Sequence, residues 1–244
     1  GRHGSRPPNR PRTIPFTMTS APTPIQPRRR HVVGITGASG AVYAQRLITE
    51  LVRLGHETHI VITRYGKRLL HDELGIEHLS NDTLHRLAGI PEHDHPRTHD
   101  IYLHPASDVG ASLGSGSFRH DGMVIVPCSS NSLGAIASGY GDELLTRAAA
   151  VCLKEKFPLV IAHREAPLNR IDLRNMMELH DAGAIICPTN PGFYLHPRSV
   201  DDIVDFMTAR LLDCIGVQHS VSKRWDQELA DQHAAKSARR SEGG

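Results

Sequence analysis

His31–Gly55, HVVGITGASGAVYAQRLITELVRLG, opens with a β-branched run (Val32, Val33, Ile35, Thr36) that suits a buried strand. The chain then turns through Gly37-Ala38-Ser39-Gly40 into an amphipathic helical pattern. Tyr43, Leu47, Leu51 and Leu54 recur at helical spacing with Ala44 and Ile48 beside them, and Gly55 closes the run where a left-handed residue is needed. A strand that passes through glycines into a helix leaves free N–H groups above its carboxyl end. Phosphate is their natural occupant, and a mononucleotide the natural ligand. The plainer alternative is a tight strand-to-helix turn with no ligand.

The spacing of Gly34, Gly37 and Gly40 is not the Gly-x-Gly-x-x-Gly of dinucleotide sites. Such sites also want an acidic residue at the end of the second strand. Here that strand, Glu57–Thr63, runs into Thr63-Arg64. A short-chain dehydrogenase would need Tyr followed four residues later by Lys, and Tyr43, Tyr65, Tyr102, Tyr140 and Tyr194 all lack that partner. The nicotinamide reading therefore loses ground.

With 244 residues the chain can hold one doubly wound domain plus tails. Its formal net charge is +2, with Arg concentrated at the two ends, so the core offers no evident basic surface for nucleic acid. Cys128, Cys152, Cys187 and Cys214 form no Cys-x-x-Cys pair and lie in or beside apolar runs, which points to buried thiols and a cytoplasmic location. No apolar stretch approaches the roughly 20 residues of a membrane span, and the N-terminus lacks a signal-peptide h-region. Residues 1–30 are rich in Pro and Arg and read as a disordered tail. Residues 31–217 read as the folded domain, and 218–244 as a polar tail carrying Trp225.

Downstream, Tyr65–Leu74 reads as a short helix, and Gly75–Gly110 is the least regular part. His93, His95, His99 and His104 in that part invite a zinc reading, but Asp and Pro interleave them, no Cys joins them, and the segment looks like a hydrophilic loop. Met123–Val126 is a third strand. It runs into Pro127-Cys128-Ser129-Ser130-Asn131-Ser132 and a helix, a second strand–turn–helix junction lined by hydroxyls and one amide. These groups suit a flavin or its ribityl chain, or merely cap the helix. Asp142 is a plausible N-cap for the next helix, which carries Arg147 and Lys154. Leu159–Ala162 is a fourth strand with Arg164-Glu165 at its end, and Ala184–Cys187 is a fifth. Beyond it lie an aromatic loop with Tyr194 and a helix opened by Ser199-x-x-Asp202, with Arg210 near its apolar side. Five strands alternating with helices predict an α/β, doubly wound parallel sheet. Its carboxyl edge would gather Ser39, Thr63, Ser129–Ser132, Arg164, Glu165 and Tyr194.

Seven blocks in this order and register, GITGASGA, SGSF, MVIVPCS, LLTRAAAVCLKE, LVIAHREAPL, GAIICP and GFYLHP, resemble the UbiX-type flavin prenyltransferases from about Val32 to about Trp225. The resemblance implies a flavodoxin/Rossmann-like single domain. It also implies metal-independent transfer of a dimethylallyl group from dimethylallyl monophosphate to reduced FMN, giving prenylated FMN for a UbiD-type decarboxylase. FMN would contact Gly37, Ala38, Ser39, Thr63, Ser129, Ser130, Asn131, Ser132 and Arg164. Lys154, Arg164, Tyr194 and Arg210 would hold the dimethylallyl phosphate, with Arg147 reaching in from a neighbouring subunit of a large homo-oligomer. Glu165 would handle the proton, Ser39 would lie near the reacting nitrogen, and Glu73 and Trp225 would border the pocket. The chain departs from some members at Val109, where they place a Trp six residues before the Ser-Gly-Ser motif. Two rival readings remain: an FMN-dependent cysteine decarboxylase, whose Pro-x-Met-Asn motif is missing, and a non-catalytic FMN-binding subunit of an aromatic acid decarboxylase. Lys154, Glu165, Tyr194 and Arg210 together argue against mere storage.

Overall fold

A computed structural model describes residues 29–89, 100–194 and 196–221. The β-branched runs become strands as expected: β1 (Arg30–Ile35), β2 (Glu57–Ile62), β3 (Ile101–His104), β4 (Gly122–Cys128), β5 (Leu159–His163) and β6 (Ile185–Ile186). They form one all-parallel sheet of six strands in the order β3-β2-β1-β4-β5-β6. This is the doubly wound order, and its direction of winding reverses between β1 and β4.

Side-chain alternation divides the core into two layers. Val33, Ile35, Ile60, Ile62, Val124, Val126, Val160 and Ala162 face one side. There they pack with α1 (Ala41–Arg53), α2 (Arg64–Leu74), the single turn α3 (Leu84–Leu87) and α7 (Val200–Cys214). Val32, Val61, Met123, Ile125, Leu159 and Ile161 face the other side, against α4 (Ser130–Ala137), α5 (Leu144–Glu155) and α6 (Arg170–Asp181). Burial on both faces explains why β4 and β5 read as unbroken apolar runs rather than alternating ones.

Two glycines allow the first turn of α2 to press against the end of β1. A Cβ on Gly66 would lie 2.5 Å from the carbonyl oxygen of Ile35, and one on Gly37 would lie 2.5 Å from Cβ of Tyr65. Only a residue without a side chain fits either place. The contact sets Arg64 and Tyr65 directly beyond the carboxyl ends of the strands.

The structure corrects the sequence reading in four respects. A sixth strand, β3, lies at the sheet edge inside the supposed hydrophilic loop. Its His104 is hydrogen bonded to His59 on β2 (Nε2 to Nδ1, 2.8 Å), while His93, His95 and His99 lie outside the described residues. The last strand shrinks to Ile185–Ile186. The N-cap of α5 is Glu143 rather than Asp142, whose carboxylate accepts from the Tyr140 hydroxyl at 2.8 Å. Two residues of the supposed 1–30 tail belong to the fold: the Arg29 carbonyl accepts from Glu57 N–H (2.9 Å), and Arg30 opens β1 and pairs with Glu57 at 2.6 Å. The Ser199–Asp202 capping box opens α7 as expected: Ser199 Oγ accepts from Asp202 N (3.1 Å), and Asp202 accepts from Ser199 N (3.0 Å). Among the described residues no helix is long and apolar enough to cross a membrane.

Candidate active site

At the reversal point a threonine ties the two central strands together. Thr36 donates from its hydroxyl to the Pro127 carbonyl (2.7 Å), and that hydroxyl accepts from Ser129 N–H (2.8 Å). The turns after β1, β2 and β4 are thereby drawn around one cleft of about 500 Å³, a size typical of small-molecule sites. Gly37, Thr63, Ser129, Asn131 and Ser132 line it, so residues scattered over almost a hundred positions converge as the sequence predicts. The hydroxyls also serve the helices. Thr63 Oγ1 accepts from Gly66 N–H (3.1 Å) to cap α2, and Ser129 Oγ accepts from Ser132 N–H (3.3 Å) to cap α4. Capping and cleft lining are thus properties of the same side chains rather than alternatives.

The expected glycine-turn anion site is already filled from within the chain. Gly40 supplies no side-chain cap for α1, and Glu73 from the last turn of α2 supplies one instead. Its carboxylate accepts from Gly40 N–H (3.0 Å) and Ala41 N–H (2.8 Å). Glu73 therefore takes two of the N–H donors, and counters the positive helix end, that a phosphate would otherwise meet. Ala38 is buried, Ser39 is exposed, and neither is among the cleft-lining residues.

At the end of β5, Arg164 N–H donates to the Cys128 carbonyl (3.1 Å), which seats Arg164 and Glu165 beside the Ser129–Ser132 turn. The Nε of Arg164 is buried with no hydrogen-bond partner, a costly condition for a guanidinium N–H unless a ligand relieves it. Glu165 is exposed, and its carboxylate accepts from Ala166 N–H (3.1 Å). Ser130 does not turn toward the cleft: its hydroxyl lies 3.0 Å from Nε2 of His163. Burial holds that imidazole below its usual range, against the pull of Asp172 and Glu165. Tyr194 packs edge-on against Phe206 of α7 (5.7 Å between centroids), and Arg210 follows one turn later, ion-paired with Asp213 at 3.0 Å. Tyr194 follows β6 at the carboxyl edge, while α7 ends at the opposite edge, where Ile215 meets Gly122 at the start of β4, five residues beyond Arg210.

Arg147 and Lys154, seven residues apart on α5, are both exposed, and Lys154 pairs with Glu155 at 3.0 Å. Lys154 lies roughly 12 Å along the helix from Thr146, which does line the cleft, at 1.5 Å per residue. This chain therefore does not bring Lys154 to its own cleft. Trp225 lies outside the described residues. Sequence reasoning missed Arg64, Tyr65, Tyr140 and Thr146 as cleft residues. The available signal for the first two was their position directly after Thr63, at the carboxyl end of β2.

Residues 19–212 match the Flavoprotein family model. The chain is 42% identical over 204 residues to "Flavin prenyltransferase UbiX" of Halalkalibacterium halodurans, an alignment that covers 84% of this chain and 96% of the relative. Among solved structures it resembles AnUbiX (PadA1) in complex with FMN and dimethylallyl pyrophosphate, with a TM-score of 0.71 and 39% identity over 82% of this chain and 98% of that one. It also resembles a dodecameric FMN-dependent UbiX-like decarboxylase from Escherichia coli O157:H7, with a TM-score of 0.69 and 38% identity over 80% of this chain and 98% of that one.

Proposed function

This chain belongs to the flavoprotein family as a flavin prenyltransferase of the UbiX type, and from that premise we propose how its own residues divide the work. FMN occupies the cleft at the reversal point, held by Gly37, Thr63, Ser129, Asn131 and Ser132 of its lining, with Ala38, Ser39, Ser130 and Arg164 around them. The donor set fits the group, with hydroxyls and an amide for a ribityl chain and two tyrosine rings, Tyr65 and Tyr140, beside them. The buried Nε of Arg164, without a hydrogen-bond partner among the described residues, is the observation that carries this reading, because a buried guanidinium N–H calls for an acceptor that a polar ligand supplies. Reduced FMN, when bound, supplies the nucleophilic nitrogen and carbon that accept the dimethylallyl group.

The protein's task is to stabilise the departing phosphate, exclude water and handle one proton. Arg164, Tyr194 and Arg210 hold the dimethylallyl phosphate ester. Each charge-assisted hydrogen bond there is worth about 1.5–3 kcal/mol. Protein cations of this kind neutralise the leaving anion without a metal. Lys154 and Arg147 are exposed on α5, and Lys154 lies away from its own cleft, which suits service to the site of a neighbouring copy in a large homo-oligomer. Glu165 accepts the proton released as the flavin carbon is alkylated, Ser39 stands close to the reacting nitrogen, and Glu73 borders the pocket. The product passes to a UbiD-type decarboxylase. Four free cysteines, two of them fully buried, support a cytoplasmic location.

The test is anaerobic incubation with reduced FMN and either dimethylallyl monophosphate or pyrophosphate, followed by mass spectrometry of the released flavin. A flavin heavier by one C5H8 unit is expected with one of the two esters. Bound but unmodified FMN with both esters overturns the transferase reading, and a protein that binds no flavin overturns the site as well.

A further inference from the structure

We propose that Arg64 is the specificity determinant for the phosphate of FMN, the residue by which this protein distinguishes the mononucleotide from the phosphate-free flavin. The inference rests on FMN being the ligand of the cleft and goes beyond it by assigning a residue that resemblance did not mark.

Both substrates of the reaction carry a phosphate, so the site needs two separate places for an anion. The ester's phosphate is assigned above to Arg164, Tyr194 and Arg210, none of which lines this cleft. The helix start that the sequence offered as the other, at α1, is closed by the Glu73 carboxylate. A second carboxylate-like group brought there would be repelled rather than bound. Among the residues lining the cleft, Arg64 is the only cation, and the remaining charges are Asp142 and Glu143. Arg64 follows β2 whereas Arg164 follows β5, with β1 and β4 between them. Three inter-strand spacings of about 4.8 Å separate the two positions by roughly 14 Å, enough to keep two phosphates apart.

Arg64 is also available and held in position. Among the described residues it enters no ion pair, and its guanidinium lies 5.9 Å from the centroid of the Tyr65 ring, within cation–π range. Its backbone is fixed because Gly37 and Gly66 let the first turn of α2 lie against β1. As the first residue of α2 it adds its charge to the positive end of that helix. The acidic groups sharpen the choice. Asp142 is oriented by the Tyr140 hydroxyl at 2.8 Å, so a dianion is turned away from that rim and toward Arg64.

The experiment is to measure dissociation constants of FMN and riboflavin, by quenching of flavin fluorescence, for the full chain and for Arg64→Ala, Arg64→Gln and Arg64→Lys. Loss of one charge-assisted phosphate contact is expected to weaken FMN roughly 10- to 100-fold in Arg64→Ala and Arg64→Gln. Riboflavin binding should stay within about twofold, because it never meets the side chain. Arg64→Lys should recover most of the discrimination, and raising the salt should erode it in the wild type but not in Arg64→Ala. A parallel loss of both flavins would mean that Arg64 serves the fold, and an unchanged FMN-to-riboflavin ratio would refute the assignment while leaving the cleft intact. Wild-type protein that binds neither flavin overturns the functional reading and this inference with it.

Discussion

Glu165 follows β5 with an exposed carboxylate next to a guanidinium whose Nε has no hydrogen-bond partner among the described residues. If the carboxylate acts on a proton and not on binding, Glu165→Gln should leave the FMN dissociation constant within about twofold while turnover drops roughly 100-fold or more. Measuring binding and product formation on the same preparation separates the two, and a fully active variant removes Glu165 from the chemistry. Gly66 tests the packing beneath the site. In Gly66→Ala the new methyl would sit 2.5 Å from Ile35 O and 3.0 Å from Ile62 Cγ2, so α2 must lift. A loss of about 1–3 kcal/mol in urea unfolding is expected, together with weaker flavin binding. Unchanged stability would show that this turn is looser than its contacts imply. At this scale the sequence was informative about residue type but not about direction. In the run Ser129-Ser130-Asn131-Ser132 every side chain looked equivalent, and only the phase of α4 decides that Ser130 faces His163 rather than the cleft. Lys154 was likewise recognisable as a cation, but its helix carries it away from its own site.

Among the elements, the β1–α1 unit was readable because two signals agreed, a β-branched run and a helical apolar stripe. Its cap was not, because Glu73 comes from the last turn of α2, beyond the whole of β2, where no local pattern around Gly40 points to it. Glu73→Ala should cost about 1 kcal/mol and lower the melting temperature, whereas Glu73→Gln, which keeps an acceptor, should recover part of the loss. Equal melting temperatures for all three proteins would contradict the capping role. The missed strand β3 has a comparable cause. Its sequence, Ile-Tyr-Leu-His, lacks the β-branched run that marked the inner strands. Its rings belong to a cross-strand stack instead: Tyr102 lies on His59 with centroids 4.8 Å apart, and His104 lies 5.1 Å from the same ring. Edge strands are stabilised by such neighbours, which a single stretch of sequence does not display.

The whole molecule carries histidines in places where a charge is unwelcome. His31 is fully buried on β1 with neither ring nitrogen hydrogen bonded among the described residues, and its pKa is lowered to about 3. Burial is the main cause, with His56, Arg29 and His120 acting the same way and Asp121 opposing. His120 is lowered to about 4, again chiefly by burial. In the unfolded chain both protonate near pH 6.5, so below that value the unfolded state binds protons that the folded state refuses. Stability is therefore greatest above about pH 6.5 and falls as the pH drops toward these lowered values, by about 1.4 kcal/mol per pH unit for a group as buried as His31. Denaturant unfolding at pH 7 and pH 5 should show that fall, and His31→Leu should flatten part of it. Parallel slopes for the two proteins would exclude His31 as a contributor.

The sheet tapers from six residues in β1 and β2 to four in β3 and two in β6. Neither margin presents a row of free backbone groups long enough to template another strand. Growth by edge-to-edge sheet extension, the route to ribbons and fibrils, is therefore closed to this fold at both ends. Any assembly it enters is left to side chains on helices and loops, the surfaces that also carry Arg147 and Lys154.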